Sequence, residues 1–169
     1  EKEVISRMVS GEVHRTNYDE VCIRSRKLAS ALIKDGYKEG DVIATLALNT
    51  YRHLEMYYGI SGMGAVTHTL NFRLHPEQAV YIINHAEDKI IFVEVPFVPI
   101  LEALKDQLKT VEKYIILCDQ SEMPDTQLKN AISYETYIED GDDNYDWPQL
   151  KDDAACALCY TSGTTGNPK

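Results

Sequence analysis

The chain has 169 residues, 44% of them hydrophobic, which is enough for one domain with its own core and argues against a disordered segment. Its 17 basic and 27 acidic residues give a net charge of −10, which argues against nonspecific binding to nucleic acid. No apolar run approaches the ~18 residues that span a bilayer, so no transmembrane segment is expected.

The first residues read as a β-hairpin, with strands over 4–8 and 13–16 around Val9-Ser10-Gly11-Glu12. Thr16 with Asp19 marks a helix start, and Tyr18, Val21, Cys22, Ser25, Leu28, Ala29, Leu32 and Ile33 follow at helical spacing. Gly36 ends that helix, and Gly40-Asp41 makes a turn. Residues 42–48 form a short, almost wholly apolar run, as in a parallel strand buried on both faces. Asn49-Thr50 caps a helix over 51–63, and residues 64–70 form a second strand. Pro76 opens a helix to 86, residues 89–94 form a third strand, Pro96 and Pro99 mark the way into a helix over 97–108, and residues 114–118 form a fourth strand. Strands alternating with helices predict an α/β fold, a mostly parallel doubly wound sheet with flanking helices behind the N-terminal hairpin.

The pattern loosens from 120 to 153. Residues 133–137 predict one short helical turn. Within the acidic run 139–146, Asp140, Asp142 and Asn144 have calcium-loop spacing, but Tyr145 replaces the required glycine and Lys151 stands where a bidentate glutamate belongs. The run therefore reads as a solvated connector, anchored at its end by Trp147-Pro148.

Four cysteines are present, Cys22, Cys118, Cys156 and Cys159. The Cys156-x-x-Cys159 pair lies in a strand-like run over 154–160, where residues three apart point to opposite faces, so the expectation is buried structural thiols of a reducing compartment. His14, His53, His68, His75 and His85 show no metal spacing, and His68 and His85 are expected to serve structural hydrogen bonds. Arg52-His53 with Glu55 reads as polarity at a helix start, and Tyr51, Tyr57 and Tyr58 as half-buried packing groups.

The last ten residues, Tyr160-Thr161-Ser162-Gly163-Thr164-Thr165-Gly166-Asn167-Pro168-Lys169, carry the chemistry. Glycines let backbone N–H groups turn toward an anion, hydroxyls add donors or magnesium ligands, and Lys169 adds a charge that reaches a phosphate. A flexible linker would not need an apolar run leading in and a Pro-Lys pair closing it. The loop would leave the carboxyl end of the strand over 154–160, where ligands bind in such sheets. It is not a Walker A loop, because Pro168 precedes the lysine.

This stretch resembles the phosphate-binding signature of the adenylate-forming superfamily of acyl-CoA synthetases, luciferases and peptide-synthetase adenylation domains. Asn49-Thr50-Tyr51-Arg52-His53-Leu54-Glu55, residues 62–74 and residues 76–88 resemble the medium- and long-chain fatty-acid–CoA ligase branch, with Phe72 standing where that branch commonly has proline. The resemblance implies that residues 1–169 are the N-terminal part of an AMP-binding (adenylation) domain. It implies ATP-dependent activation of a carboxylic acid to an acyl-adenylate and then to an acyl-CoA, with ATP, Mg2+ and coenzyme A taking part. It assigns Thr161, Ser162, Gly163, Thr164, Thr165, Gly166 and Lys169 to the ATP phosphates, with Thr165 nearest a magnesium ion. The adenine, acyl and coenzyme A sites and the catalytic residues are expected beyond Lys169, so no catalytic residue is assigned here and the segment alone is expected to be inactive. A homodimer is expected for the intact enzyme. The expected location is cytoplasmic, with an organellar one open because the chain begins at Glu1 rather than methionine. The alternatives are a noncatalytic nucleotide- or phosphate-binding module, or an adenylation domain for an aromatic or amino acid.

Overall fold

A computed structural model describes residues 2–161 and 168–169. Strands β1 (Glu3–Arg7) and β2 (Val13–Asn17) pair antiparallel as the expected hairpin. Helix α1 (Tyr18–Lys34) follows directly. Its cap is Asn17 rather than Thr16: the helix begins at Tyr18, and the Asn17 side chain accepts the Glu20 N–H at 2.9 Å. Gly36, at φ +94°, ends the helix in the left-handed region that glycine enters without strain.

The remaining elements are β3 (Val42–Leu46), α2 (Tyr51–Gly62), β4 (Val66–Thr69), α3 (Pro76–His85), β5 (Ile90–Val93), α4 (Val98–Leu104), β6 (Lys113–Ile116), β7 (Ala131–Ser133), α5 (Tyr134–Glu139) and β8 (Ala157–Leu158). The helix expected over 97–108 is a short α4 with a single 3-10 turn at each end, Val95–Phe97 and Lys105–Gln107. Among the described residues the sheet has six strands in the order β7-β6-β5-β3-β4-β8, every pair parallel.

Alternating strand residues separate into two cores, as the period of two requires. Ile43, Ile90, Phe92 and Ile115 face α1, α2 and α5, meeting Leu28, Leu32, Met56, Ile60 and Tyr134. Ala44, Ile91, Val93, Tyr114 and Ile116 face α3 and α4, meeting Ile82, Ile83, Leu101 and Leu104. The sheet is thus covered on both faces, which is the doubly wound arrangement. Helices α1 and α2 approach so closely at Gly59 that a Cβ there would stand 2.9 Å from the Leu28 side chain and the Ser25 carbonyl. Trp147 anchors the acidic connector as expected, packing against the α1/α2-side core.

Two expectations are corrected here. The strand over 154–160 is confined to Ala157–Leu158, which pairs with β4. And only Cys118 is buried; Cys22, Cys156 and Cys159 are exposed. Cys22 sits on the outer side of α1, and Cys156 and Cys159 flank that edge strand. Burial pushes the Cys118 thiol up to about 11, so it stays protonated and inert at neutral pH.

Strand β7 was missed by sequence reading, and the expected turn over 133–137 is the helix α5 that follows it. No helix among the described residues is long and apolar enough to cross a membrane.

Candidate functional site

Tyr160 leaves the carboxyl end of β8 and runs straight into the Gly/Ser/Thr-rich segment. Ser162, Gly163, Thr164, Thr165 and Gly166 lie outside the described residues, so their expected roles have no geometry here. The two ends of the segment are described, and they meet. The Thr161 N–H donates to the Lys169 backbone oxygen at 2.8 Å, and the Lys169 N–H returns the bond to the Thr161 carbonyl at 3.1 Å. The Thr161 hydroxyl also donates to the Lys169 backbone oxygen, at 3.2 Å. Pro168 is buried, and the Lys169 side chain is exposed beside this bridge. The backbones of Thr161 and Lys169 are thus held together, with the lysine side chain exposed beside them. An exposed ammonium in that position can meet a multiply charged anion without first being desolvated.

The side of the loop nearest the sheet is anchored as well. The Tyr160 ring packs against the α3/α4-side core, and its hydroxyl lies 2.6 Å from Nδ1 of His85, the last residue of α3. Tyr81, one turn earlier, stacks on His85 with centroids 5.4 Å apart. His68 tilts against Tyr160 at 5.3 Å and is itself held by Asp88, Nδ1 to Oδ2 at 2.8 Å, both side chains fully buried. The expected structural role of His68 and His85 in hydrogen bonding is what these contacts show.

Arg52 and Glu55 depart furthest from their sequence reading. They are not exposed helix-start polarity but the middle of a buried ionic network. Glu55 takes Arg24 Nε at 2.7 Å and the Tyr134 hydroxyl at 2.9 Å. Glu135 takes Arg24 at 2.8 Å and Arg52 Nε at 2.8 Å, and Arg52 also reaches Asp119 at 3.3 Å. The i,i+3 spacing of Arg52 and Glu55 on α2 was the available signal, but their partners on α1 and α5 are far off in sequence. Tyr51 is buried as a lid over this network, with Arg52 above its ring at 5.0 Å, while Tyr57 and Tyr58 are more exposed than expected.

The network has a pH signature. Burial alone would raise the Glu135 carboxyl, but hydrogen bonds and charge from Arg24 and Arg52 outweigh it and hold the group below its ordinary value of 4.5. A carboxyl depressed in the folded state contributes stability above that ordinary value and loses it as pH falls through the folded one. Acid unfolding of the intact protein should therefore shift to higher pH in wild type than in Glu135→Gln, once each is scaled to its own stability at pH 7. Superimposable scaled curves would contradict this.

A cleft of about 370 Å3 opens where β3 and β5, neighbours in the sheet, send their following helices to opposite faces. It lies under the hairpin and is lined in part by His14, Tyr51, Arg52, Glu94 and Asp119. Among the described residues no group of three or more His, Cys, Asp or Glu side chains is placed to share a metal ion.

The family model described as AMP-binding enzyme matches residues 1–169. The chain is 48% identical over 168 residues to a medium-chain-fatty-acid–CoA ligase of Ectopseudomonas oleovorans, covering 99% of this chain and 31% of that one. It is 45% identical over 167 residues to a 3-methylmercaptopropionyl-CoA ligase of Ruegeria lacuscaerulensis, covering 99% and 31%. Its fold matches the crystal structure of the anthranilate CoA ligase AuaEII in complex with anthranoyl-AMP with a TM-score of 0.82, at 22% identity, over 92% of this chain and 29% of that one. The chain thus spans about a third of the length of these relatives.

Proposed function

Because the chain belongs to the AMP-binding enzyme family, we propose that it forms the N-terminal part of the adenylation domain of an acid–CoA ligase and supplies that enzyme's ATP-phosphate loop. The intact protein activates an aliphatic carboxylic acid of medium or long chain. The carboxylate attacks the α-phosphate of Mg-ATP, pyrophosphate leaves, and the coenzyme A thiol then displaces AMP from the acyl-adenylate to give the thioester. The observation that carries this reading is the Thr161–Lys169 bridge, which closes the Gly/Ser/Thr-rich segment at the carboxyl end of β8 and leaves the lysine exposed at its base.

The first half-reaction brings an anion against an already highly charged triphosphate. Backbone N–H groups, hydroxyls and a fixed ammonium lower that repulsion and steady the departing pyrophosphate. In this reading Ser162, Gly163, Thr164, Thr165 and Lys169 hold the β- and γ-phosphates, and Gly166 and Pro168 shape the loop. The Thr165 hydroxyl would supply an oxygen ligand to the magnesium that arrives with the nucleotide. Thr161, whose hydroxyl already donates to Lys169, closes the loop. The likeness to the fatty-acid ligase supports this substrate class, and the nearly equal likeness to the thioether-acid ligase makes chain length the property to measure.

The test is a product assay on the intact protein with Mg-ATP, coenzyme A and, in parallel, acetate, octanoate, palmitate, 3-methylthiopropionate and a coumarate. The expected result is an octanoyl- or palmitoyl-CoA accompanied by equimolar AMP and pyrophosphate. Thioester formation only with the short, thioether or aromatic acid would keep the reaction and overturn the acid class. ADP and phosphate in place of AMP and pyrophosphate would overturn the reaction.

A further inference from the structure

The route from α3 to the loop's lysine is short, and every part of it is held. His85 ends α3, with its ring stacked on Tyr81. Its Nδ1 meets the Tyr160 hydroxyl at 2.6 Å. The Tyr160 ring also leans on His68, which Asp88 fixes. One peptide bond further on, Thr161 makes three hydrogen bonds with the Lys169 backbone. The Tyr160 ring would be retained in the core by its apolar contacts alone. The hydroxyl adds direction, because a bond of that length fixes the ring's long axis and with it the path of the backbone into Thr161.

We propose that His85 and the Tyr160 hydroxyl form a positioning pair for Lys169. Through the Thr161–Lys169 bridge the end of α3 sets where the lysine ammonium stands, and so how tightly the site takes a nucleoside triphosphate. This rests on the ATP reading above and extends it to α3. Neither residue contacts the reacting atoms. Their effect is confined to the geometry of the lysine, so it falls on Mg-ATP and spares the acid.

The experiment measures the dissociation constant for Mg-ATP by calorimetry on the intact protein as wild type, Tyr160→Phe, His85→Leu, the double variant and His85→Gln. Acid-dependent ATP–pyrophosphate exchange is run alongside. Tyr160→Phe and His85→Leu should each weaken Mg-ATP about tenfold, the scale of one lost hydrogen bond, while KM for the acid changes less than about twofold. The double variant should be no weaker than the worse single, because both remove the same bond. His85→Gln, which still offers the tyrosine a polar partner, should recover most of the loss. Unchanged Mg-ATP affinity in both singles overturns the proposal. So does a loss that multiplies in the double variant, or one shared equally by acid and ATP with a lowered Tm. If wild type binds Mg-ATP but shows no exchange, the ligase reading fails and the dissociation constants still decide the positioning pair. If wild type binds no Mg-ATP, both fall.

Discussion

Replacing Lys169 by alanine in the intact protein is expected to lower kcat/KM for Mg-ATP by about 10²- to 10³-fold, the range found when one preorganised electrostatic contact to a developing charge is removed. The fold should be unaffected, because the Lys169 side chain is exposed and its backbone carries the bonds to Thr161. Those bonds survive in the alanine variant, so the loop stays closed and only the charge is lost. Lys169→Arg keeps the charge but replaces a compact point with a planar fork, and should recover part of the rate. Steady-state kinetics with Mg-ATP varied at saturating acid read the effect directly. A loss below about threefold would mean that Lys169 does not meet the phosphates. An equal fall in Tm and activity would mean that it supports the fold instead.

The second large effect concerns stability. Glu55→Ala should destabilise the protein by about 3–5 kcal/mol, the usual penalty for removing one partner of a buried ion pair. The Glu55 side chain is 1% exposed and accepts from both Arg24 and the Tyr134 hydroxyl. Truncation strands a guanidinium that keeps only Glu135 and leaves a fully buried phenol without its acceptor. The three groups belong to α1, α2 and α5, so the loss loosens the whole helical layer on that face of the sheet. Tyr134→Phe, which removes only the donor, should cost about 1 kcal/mol, and adding it to Glu55→Ala should cost less than it does alone. Denaturant unfolding of the intact protein measures all three. A Glu55→Ala loss under 1 kcal/mol would show that water replaces the carboxylate and that the network is not closed.

What could be read from the sequence follows the range of the interactions. The hairpin, α1–α3 and the four strands β3–β6 of a mostly parallel sheet follow from local periodicity and from turn residues such as Gly36 and Pro76, and the structure bears them out, while the strand order comes from the fold alone. β7 was missed because three residues, Ala131-Ile132-Ser133, are too few to show a period, and its strand character comes from pairing with β6. The run over 154–160 reads as a full strand from its apolar residues, but only Ala157 and Leu158 pair in the sheet. The cap moved from Thr16 to Asn17 by one residue: either side chain can cap, and the helix begins directly after Asn17.

The site divides along the same line. The Gly/Ser/Thr-rich segment and its lysine stand out in the sequence because their residues are contiguous, and the proposal about them rests on that pattern. The Arg24–Glu55–Arg52–Glu135 network, the His85–Tyr160 bond and the Thr161–Lys169 bridge join residues that only the fold brings together, apart from one i,i+3 pair on α2. The same is true of Phe72. Its ring stacks on Phe97 at 4.9 Å, a contact between segments distant in sequence.

Acid-dependent ATP–pyrophosphate exchange by the intact protein, without coenzyme A, tests the central claim most directly, because it isolates adenylate formation from every later step. The account predicts exchange that requires the carboxylic acid, is fastest with octanoate or palmitate, and collapses in Lys169→Ala. No exchange with any acid, while Mg-ATP still binds, would contradict it and leave a nucleotide-binding module in place of a ligase.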